Sequence, residues 1–138
     1  MKNLTKNRNA EYARRCIEIF ERDYRNGCVR PLDEVLTMAL AMQPHSHYLS
    51  YDTASRKLHA IERHGIDSLV AGENTRALYT ELGAQVADVM SKRRKLSFDQ
   101  ALSFVLNFCR PSRFHMSLDT ARRIITPYIS YSICRIRG

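Results

Sequence analysis

The chain has little glycine and little proline, five and four residues among 138. A many-turned β fold needs more of both, so their scarcity favours helices. The four cysteines, Cys16, Cys28, Cys109 and Cys134, form no C-x-x-C pair, and a zinc ribbon or thioredoxin-like centre has no support. No apolar run approaches the roughly 18–20 residues of a spanning helix. The opening stretch, MKNLTKNRNAEYARR, has no apolar segment of the kind a secretory signal carries. These absences lead to the expectation of a soluble, cytoplasmic protein with free thiols and no membrane partner.

Catalytic signatures are missing as well. There is no G-x-x-x-x-G-K followed by Ser or Thr, no H-E-x-x-H and no G-x-S-x-G. The second half holds few carboxylates: Glu81, Asp88, Asp99 and Asp119. Asp99 and Asp119 fall at expected helix starts, where capping accounts for them. His45 and His47 have no matching cysteine or carboxylate set nearby in sequence, so no metal site is expected. His59 and His64 are five apart and share no helical face. The expectation is a non-enzymatic protein without a cofactor.

What is present is positive charge. The formal net charge is +8, with a pI near 9.6, which argues for a polyanionic partner, nucleic acid first. Residues 1–73 carry 11 basic and 10 acidic side chains, whereas residues 74–138 carry 11 and 4. The second half is therefore the expected binding half.

The chain also repeats itself. Pro44–Leu58, PHSHYLSYDTASRKL, aligns without a gap on Pro111–Ile125, PSRFHMSLDTARRII. Identical pairs are Pro44/Pro111, Ser50/Ser117, Asp52/Asp119, Thr53/Thr120, Ala54/Ala121 and Arg56/Arg123. Unrelated segments of this length match at roughly one position. Upstream, LDEVLTMALAM is answered by FDQALSFVLNF, with Asp33/Asp99, Leu36/Leu102 and Leu40/Leu106 identical.

Each copy reads as a long helix, a helix apolar nearly all round, a loop and a short helix. In the first copy Asn9 is placed to cap a helix to about Asn26. Its apolar stripe is Tyr12, Cys16, Ile19, Phe20 and Tyr24, and Gly27 stands just past its end. Leu32–Met42 is the apolar helix, and Ser50 caps Tyr51–His64. In the second copy Asn74 caps a helix to about Arg94, Ser97 and Gln100 form a capping box, and Ser117 caps a last helix that Pro127 interrupts. The tail after Pro127 suits a short strand, an arm or a helical turn. Helices apolar all round belong in the middle of a bundle, so the two are expected to share one core. The predicted architecture is one all-α domain over residues 1–138, with repeats at about 9–64 and 74–126 joined by residues 65–73.

An apolar helix, a loop and a Ser-capped helix bearing arginines resemble a helix-turn-helix, whose second helix enters the major groove. The connection, about seven residues, is longer than the three or four usual in that motif. Arg56 and Lys57 lie on the first such helix, and Arg110, Arg113, Arg122 and Arg123 cluster around the second. Gln43 and Ser46 stand opposite Arg110 and Arg113, so the first copy lacks those flanking charges. Lys92, Arg93, Arg94 and Lys95 form the densest basic run, suited to phosphate contacts. A helix C-terminus also attracts cations, but four in succession exceed what a cap needs. The loop aromatics Tyr48 and Phe114, with His115, suit either base stacking or plugging the core. Together these features predict a nucleic-acid-binding protein, DNA preferred over RNA, with the second repeat as its reader. The rival reading is an adaptor that offers its basic face to a partner protein.

Overall fold

The structure, a computed structural model, describes residues 3–137, with side chains as far as residue 128. It is all-helical, as expected, with no strand among the described residues. The elements are α1 (Leu4–Arg25), α2 (Leu32–Leu40), α3 (Tyr51–His64), a 3-10 turn (Ile66–Ser68), α4 (Glu73–Lys92), α5 (Phe98–Phe108) and α6 (Leu118–Arg137). No helix among the described residues is long and apolar enough to cross a membrane.

The chain forms two compact units. The first comprises residues 1–44 and 112–138, and the second residues 45–111. This division does not follow the sequence repeats. In the first unit α1 and α2 pack on each other and both pack on α6. In the second α4 and α5 pack on each other and both pack on α3. Each pair of long and apolar helices is thus completed by the Ser-capped helix of the other repeat. The connections 26–31 and 93–97 are short and keep their helices as neighbours. The connections 41–50 and 109–117 are longer, and each holds a proline that favours extended chain before it.

The apolar helices do not share a core. Val35, Leu36 and Ala39 of α2 join Tyr12, Cys16, Phe114 and Ile125 in one cluster. Ala101, Leu102 and Val105 of α5 join Ala54, Leu82 and Val86 in another. Neither helix is buried all round, because one three-helix unit covers only part of its circumference. Asp33, Glu34 and Thr37 are exposed on α2, as are Ser103, Asn107 and Phe108 on α5.

In the first unit α1 starts earlier than the sequence suggested. Asn3, not Asn9, is its cap, its Oδ1 accepting from the Lys6 N–H at 3.0 Å. The Asn9 Oδ1 accepts instead from the Arg8 guanidinium at 3.0 and 3.1 Å. At the other end Gly27, at φ 71°, closes a Schellman turn. The Cys28 N–H donates to the Asp23 carbonyl at 2.8 Å, and the Gly27 N–H to the Tyr24 carbonyl at 3.0 Å. Tyr24 lies outside the apolar stripe, 62% exposed. Burial pushes the Cys16 thiol up to about 11, so this cysteine is a small core residue. Helix α6 runs through Pro127 where a break was expected. The missing N–H leaves the Arg123 carbonyl without its helical donor, and both residues are exposed to solvent. The strand or extended arm considered for the tail is replaced by helix.

Phe114 settles one of the loop aromatics. It is 1% exposed, stands edge-on to Tyr12 at 5.2 Å between ring centroids, and its N–H donates to the Leu40 carbonyl at 3.0 Å. At the matching place in the second unit, His47 is buried and meets the Gln85 Oε1 at 2.6 Å. Gln85 in turn donates to the Arg110 carbonyl at 2.9 Å. Helix α4 begins at Glu73 with Gly72 in the cap position and no side-chain cap, so Asn74 lies inside the first turn. The Ser97–Gln100 capping box of α5 forms as expected.

Two substitutions test this packing by urea denaturation. Phe114→Ala is expected to lower stability by about 3–5 kcal/mol. Gly83, inside α4, has room for a methyl group, whose nearest neighbour would be a Leu58 methyl at 3.6 Å. Gly83→Ala is therefore expected to raise stability by about 0.5–1 kcal/mol.

Candidate nucleic-acid interface

The basic residues singled out in the sequence fall in both units. Arg56, Lys57, Lys92, Arg93, Arg94, Lys95 and Arg110 belong to the second, and Arg113, Arg122 and Arg123 to the first. The partition changes the charge picture. Counted over the sequence, the first unit carries 13 basic and 7 acidic side chains, net +6, and the second 9 and 7, net +2. Of the second sequence half, residues 112–138, with five basic and one acidic side chain, go to the first unit, where α6 packs on α1 and α2.

Nothing in either unit supports the helix-turn-helix arrangement. That motif needs its two helices to pack on each other across a short turn. Here α2 and α3 belong to different units, and so do α5 and α6. Arg122, expected to approach bases, is engaged within its unit. Its Nε and Nη2 reach the two carboxylate oxygens of Asp33 at 3.0 and 2.7 Å, and its Nη1 reaches Asp119 at 2.9 Å. This bidentate fork ties α6 to α2. The Arg122 guanidinium holds the Asp33 carboxyl below its ordinary range. The corresponding aspartate of the second unit, Asp99, accepts from Tyr51 and raises that phenol above its ordinary range. Arg113 is half-buried and donates to the Phe114 carbonyl at 3.4 Å. Arg110 is exposed, with its carbonyl fixed by Gln85. Arg56 is exposed on α3, near enough to Tyr79 to act on its phenol, and Lys57 is half-buried.

The basic run is differently placed. Lys92 ends α4 and pairs with Asp88, one helical turn earlier, at 3.1 Å. Arg93 leaves the helix and lays its guanidinium over the Phe104 ring, 4.8 Å from the centroid. Arg94 and Lys95 are exposed in the following turn and make no ion pair among the described residues. Phe104 and Phe108 stand one turn apart on α5, centroids 5.1 Å apart, and Phe108 is 74% exposed. The second unit thus carries an aromatic pair on α5, with the Arg93 guanidinium of the basic run laid over its inner ring, Phe104, and Phe108 at the C-terminal end of the helix.

The sequence reading missed the two phenylalanines because α5 looked uniformly apolar. The stripe at Ala101, Leu102 and Val105 already fills the side facing α3 and α4. Phe104 and Phe108, four apart, stay outside that buried cluster, Phe108 as the last residue of the helix. Tyr48, the other loop aromatic, is half-buried at φ 54°, its N–H held by the Ser46 hydroxyl at 3.0 Å. Comparison with protein families, with curated proteins and with solved structures finds no match for this chain.

The Arg122–Asp33 fork makes a prediction about pH. A carboxylate whose folded pKa is depressed stabilises the fold above its unfolded pKa, about 3.9, and that contribution is lost as pH falls through the folded value. In Arg122→Gln the Asp33 titration, followed by NMR, is expected to move back up towards the ordinary range. The acid-side loss of stability is expected to flatten with it. An unmoved Asp33 would show that the fork is absent in solution.

Proposed function

We propose that the protein is a non-enzymatic, cytoplasmic nucleic-acid-binding protein that holds a strand, DNA first, along the α4–α5 turn of its second unit. The observation that carries this reading is the contact of Arg93, within the run Lys92, Arg93, Arg94 and Lys95, with half-buried Phe104, which in turn meets exposed Phe108. Cations that follow a backbone and aromatic faces that receive bases are the two parts of a single-strand site. Lys92, Arg94 and Lys95 take phosphates. Arg93 orients Phe104 through its cation–π contact, and Phe108 offers its ring to an unpaired base. The aromatic pair, with no helix-turn-helix to support duplex reading, favours unpaired bases.

The adaptor reading keeps one observation of its own. Tyr24, Val29 and Leu32, at the α1–α2 turn of the first unit, are 62%, 91% and 38% exposed. A partner protein that covered them would give a stable complex or oligomer by light scattering, with no affinity for nucleic acid.

Fluorescence anisotropy with labelled single-stranded and duplex DNA, over several salt concentrations, tests the proposal. The same single strand as RNA is run beside them. Lys92→Ala/Arg94→Ala/Lys95→Ala is expected to lower the salt slope on single strands by about two, at roughly 0.7 per phosphate contact. Phe108→Ala removes an exposed ring and leaves the fold intact. It is expected to weaken single-strand binding about tenfold, since one stacked base contributes about 1–3 kcal/mol, and to leave duplex binding nearly unchanged. Absence of salt-dependent binding to any of the three polymers would overturn the proposal.

A further inference from the structure

The strongest feature outside the α4–α5 turn is a groove in the first unit, between the N-terminal turns of α1 and the middle of α6. It is an open groove of about 440 Å³, a size within the range of small-ligand sites. Lys6 and Asn9 line it from α1, Asn3 from the cap, and Arg123 and Tyr128 from α6, over the side chain of Ile124. No carboxylate lines it. Its polar groups are therefore chiefly donors. The Asn3 and Asn9 side-chain oxygens are already taken, by the Lys6 N–H and by Arg8, which leaves their amide nitrogens to donate. Lys6 and Arg123 bring one cation from each wall and make no ion pair among the described residues. The first turn of α1 has no acidic residue, so nothing there offsets the positive end of the helix dipole. Tyr128 is 40% exposed and supplies the one aromatic face.

We infer that this groove is a binding site for a nucleoside 5′-phosphate, either a free mononucleotide or the 5′-phosphorylated end of a strand. Two cations and a set of amide donors match a terminal phosphate, which carries nearly two charges at neutral pH. A strand-internal phosphodiester carries one. Lys6 and Arg123 hold the phosphate, and the Tyr128 ring receives the base. The inference concerns the first unit alone and stands or falls separately from the α4–α5 reading.

Isothermal titration of the full chain with adenosine 5′-monophosphate, adenosine and inorganic phosphate tests it. The monophosphate is expected to saturate one site, and adenosine to bind far more weakly. Arg123→Gln and Lys6→Gln, both at exposed positions, are each expected to weaken the monophosphate about tenfold, the usual loss for one charge-assisted hydrogen bond. Tyr128→Leu is expected to weaken the monophosphate and leave inorganic phosphate unchanged. The Lys92→Ala/Arg94→Ala/Lys95→Ala variant is expected to bind it as the natural chain does, which separates this site from the other. A 5′-phosphorylated trinucleotide that binds as tightly as the monophosphate identifies a strand end, and one that binds at least tenfold more weakly identifies the free nucleotide. No saturable heat with the monophosphate at millimolar concentration would overturn the inference, as would an affinity unchanged in Lys6→Gln/Arg123→Gln.

Discussion

Two antiparallel helices cannot bury their apolar faces alone, and this constraint organises the molecule. The pairs α1–α2 and α4–α5 are each held by a short connection. Each leaves a trough that a third helix must fill. Helix α6 fills the first with Ala121, Ile124 and Ile125, and α3 fills the second with Ala54 and Leu58. The alanines, both fully buried, allow close approach, and the larger residues a turn later fill the space. The other contacts follow from this packing. Arg122 meets Asp33 because α6 lies on α2, and Tyr51 meets Asp99 because α3 lies on α5. Phe104 and Phe108 are not part of the cluster that α3, α4 and α5 bury together.

Local signals made most of this legible. Ser50 and Ser97 cap the helices assigned to them, with the Thr53 and Gln100 N–H groups donating at 3.2 Å in both cases. The Ser117 hydroxyl likewise accepts from the Thr120 N–H at 3.1 Å. Such bonds span three residues, and sequence spacing is sufficient evidence for them. The exchange of third helices was not legible. Ala54 and Ala121 look alike in sequence, and the repeat states that each helix fits a trough of one kind without stating which trough. Only the long connections 41–50 and 109–117 hinted that the chain does not turn back at once. Pro127 misled in the opposite direction. A proline removes one donor, but Pro127 lies at an exposed position, where the freed carbonyl is not cut off from solvent, so a sequence rule built for helix interiors placed a break where there is none.

The charge pattern shows why candidate residues cannot be counted along the chain. Summed by halves, the excess sits after residue 74. Summed by units, it sits with α1, α2 and α6. Individual arginines then divide by what they touch. Arg122 has three nitrogens on two carboxylates, and freeing it would leave Asp33 unpaired. Arg93 rests on a ring. Arg94, Lys95 and Arg123 have no acidic partner among the described residues. Sequence weighs all of these equally, because the carboxylate that neutralises Arg122 lies 89 positions away.

The exchange of helices also bears on how a repeated sequence comes to carry two different surfaces. The repeat preserves what builds a trough and its filling: the Ser cap, the aspartate behind it and the buried alanine. It does not preserve what faces outward. Where α5 has Phe104 and Phe108, the gap-free pairing of the apolar helices puts Met38 on α2 and Met42 just past its end, both half-buried against their own core. Where α4 ends in Lys92, Arg93, Arg94 and Lys95, α1 ends in a Schellman turn around Gly27, followed by Arg30 bound to Asp23 and Glu34. Packing constrains the inward residues of both copies alike, because each trough must be filled. The outward residues are free to diverge, and on the proposed reading it is there that the second copy acquired its strand-binding edge.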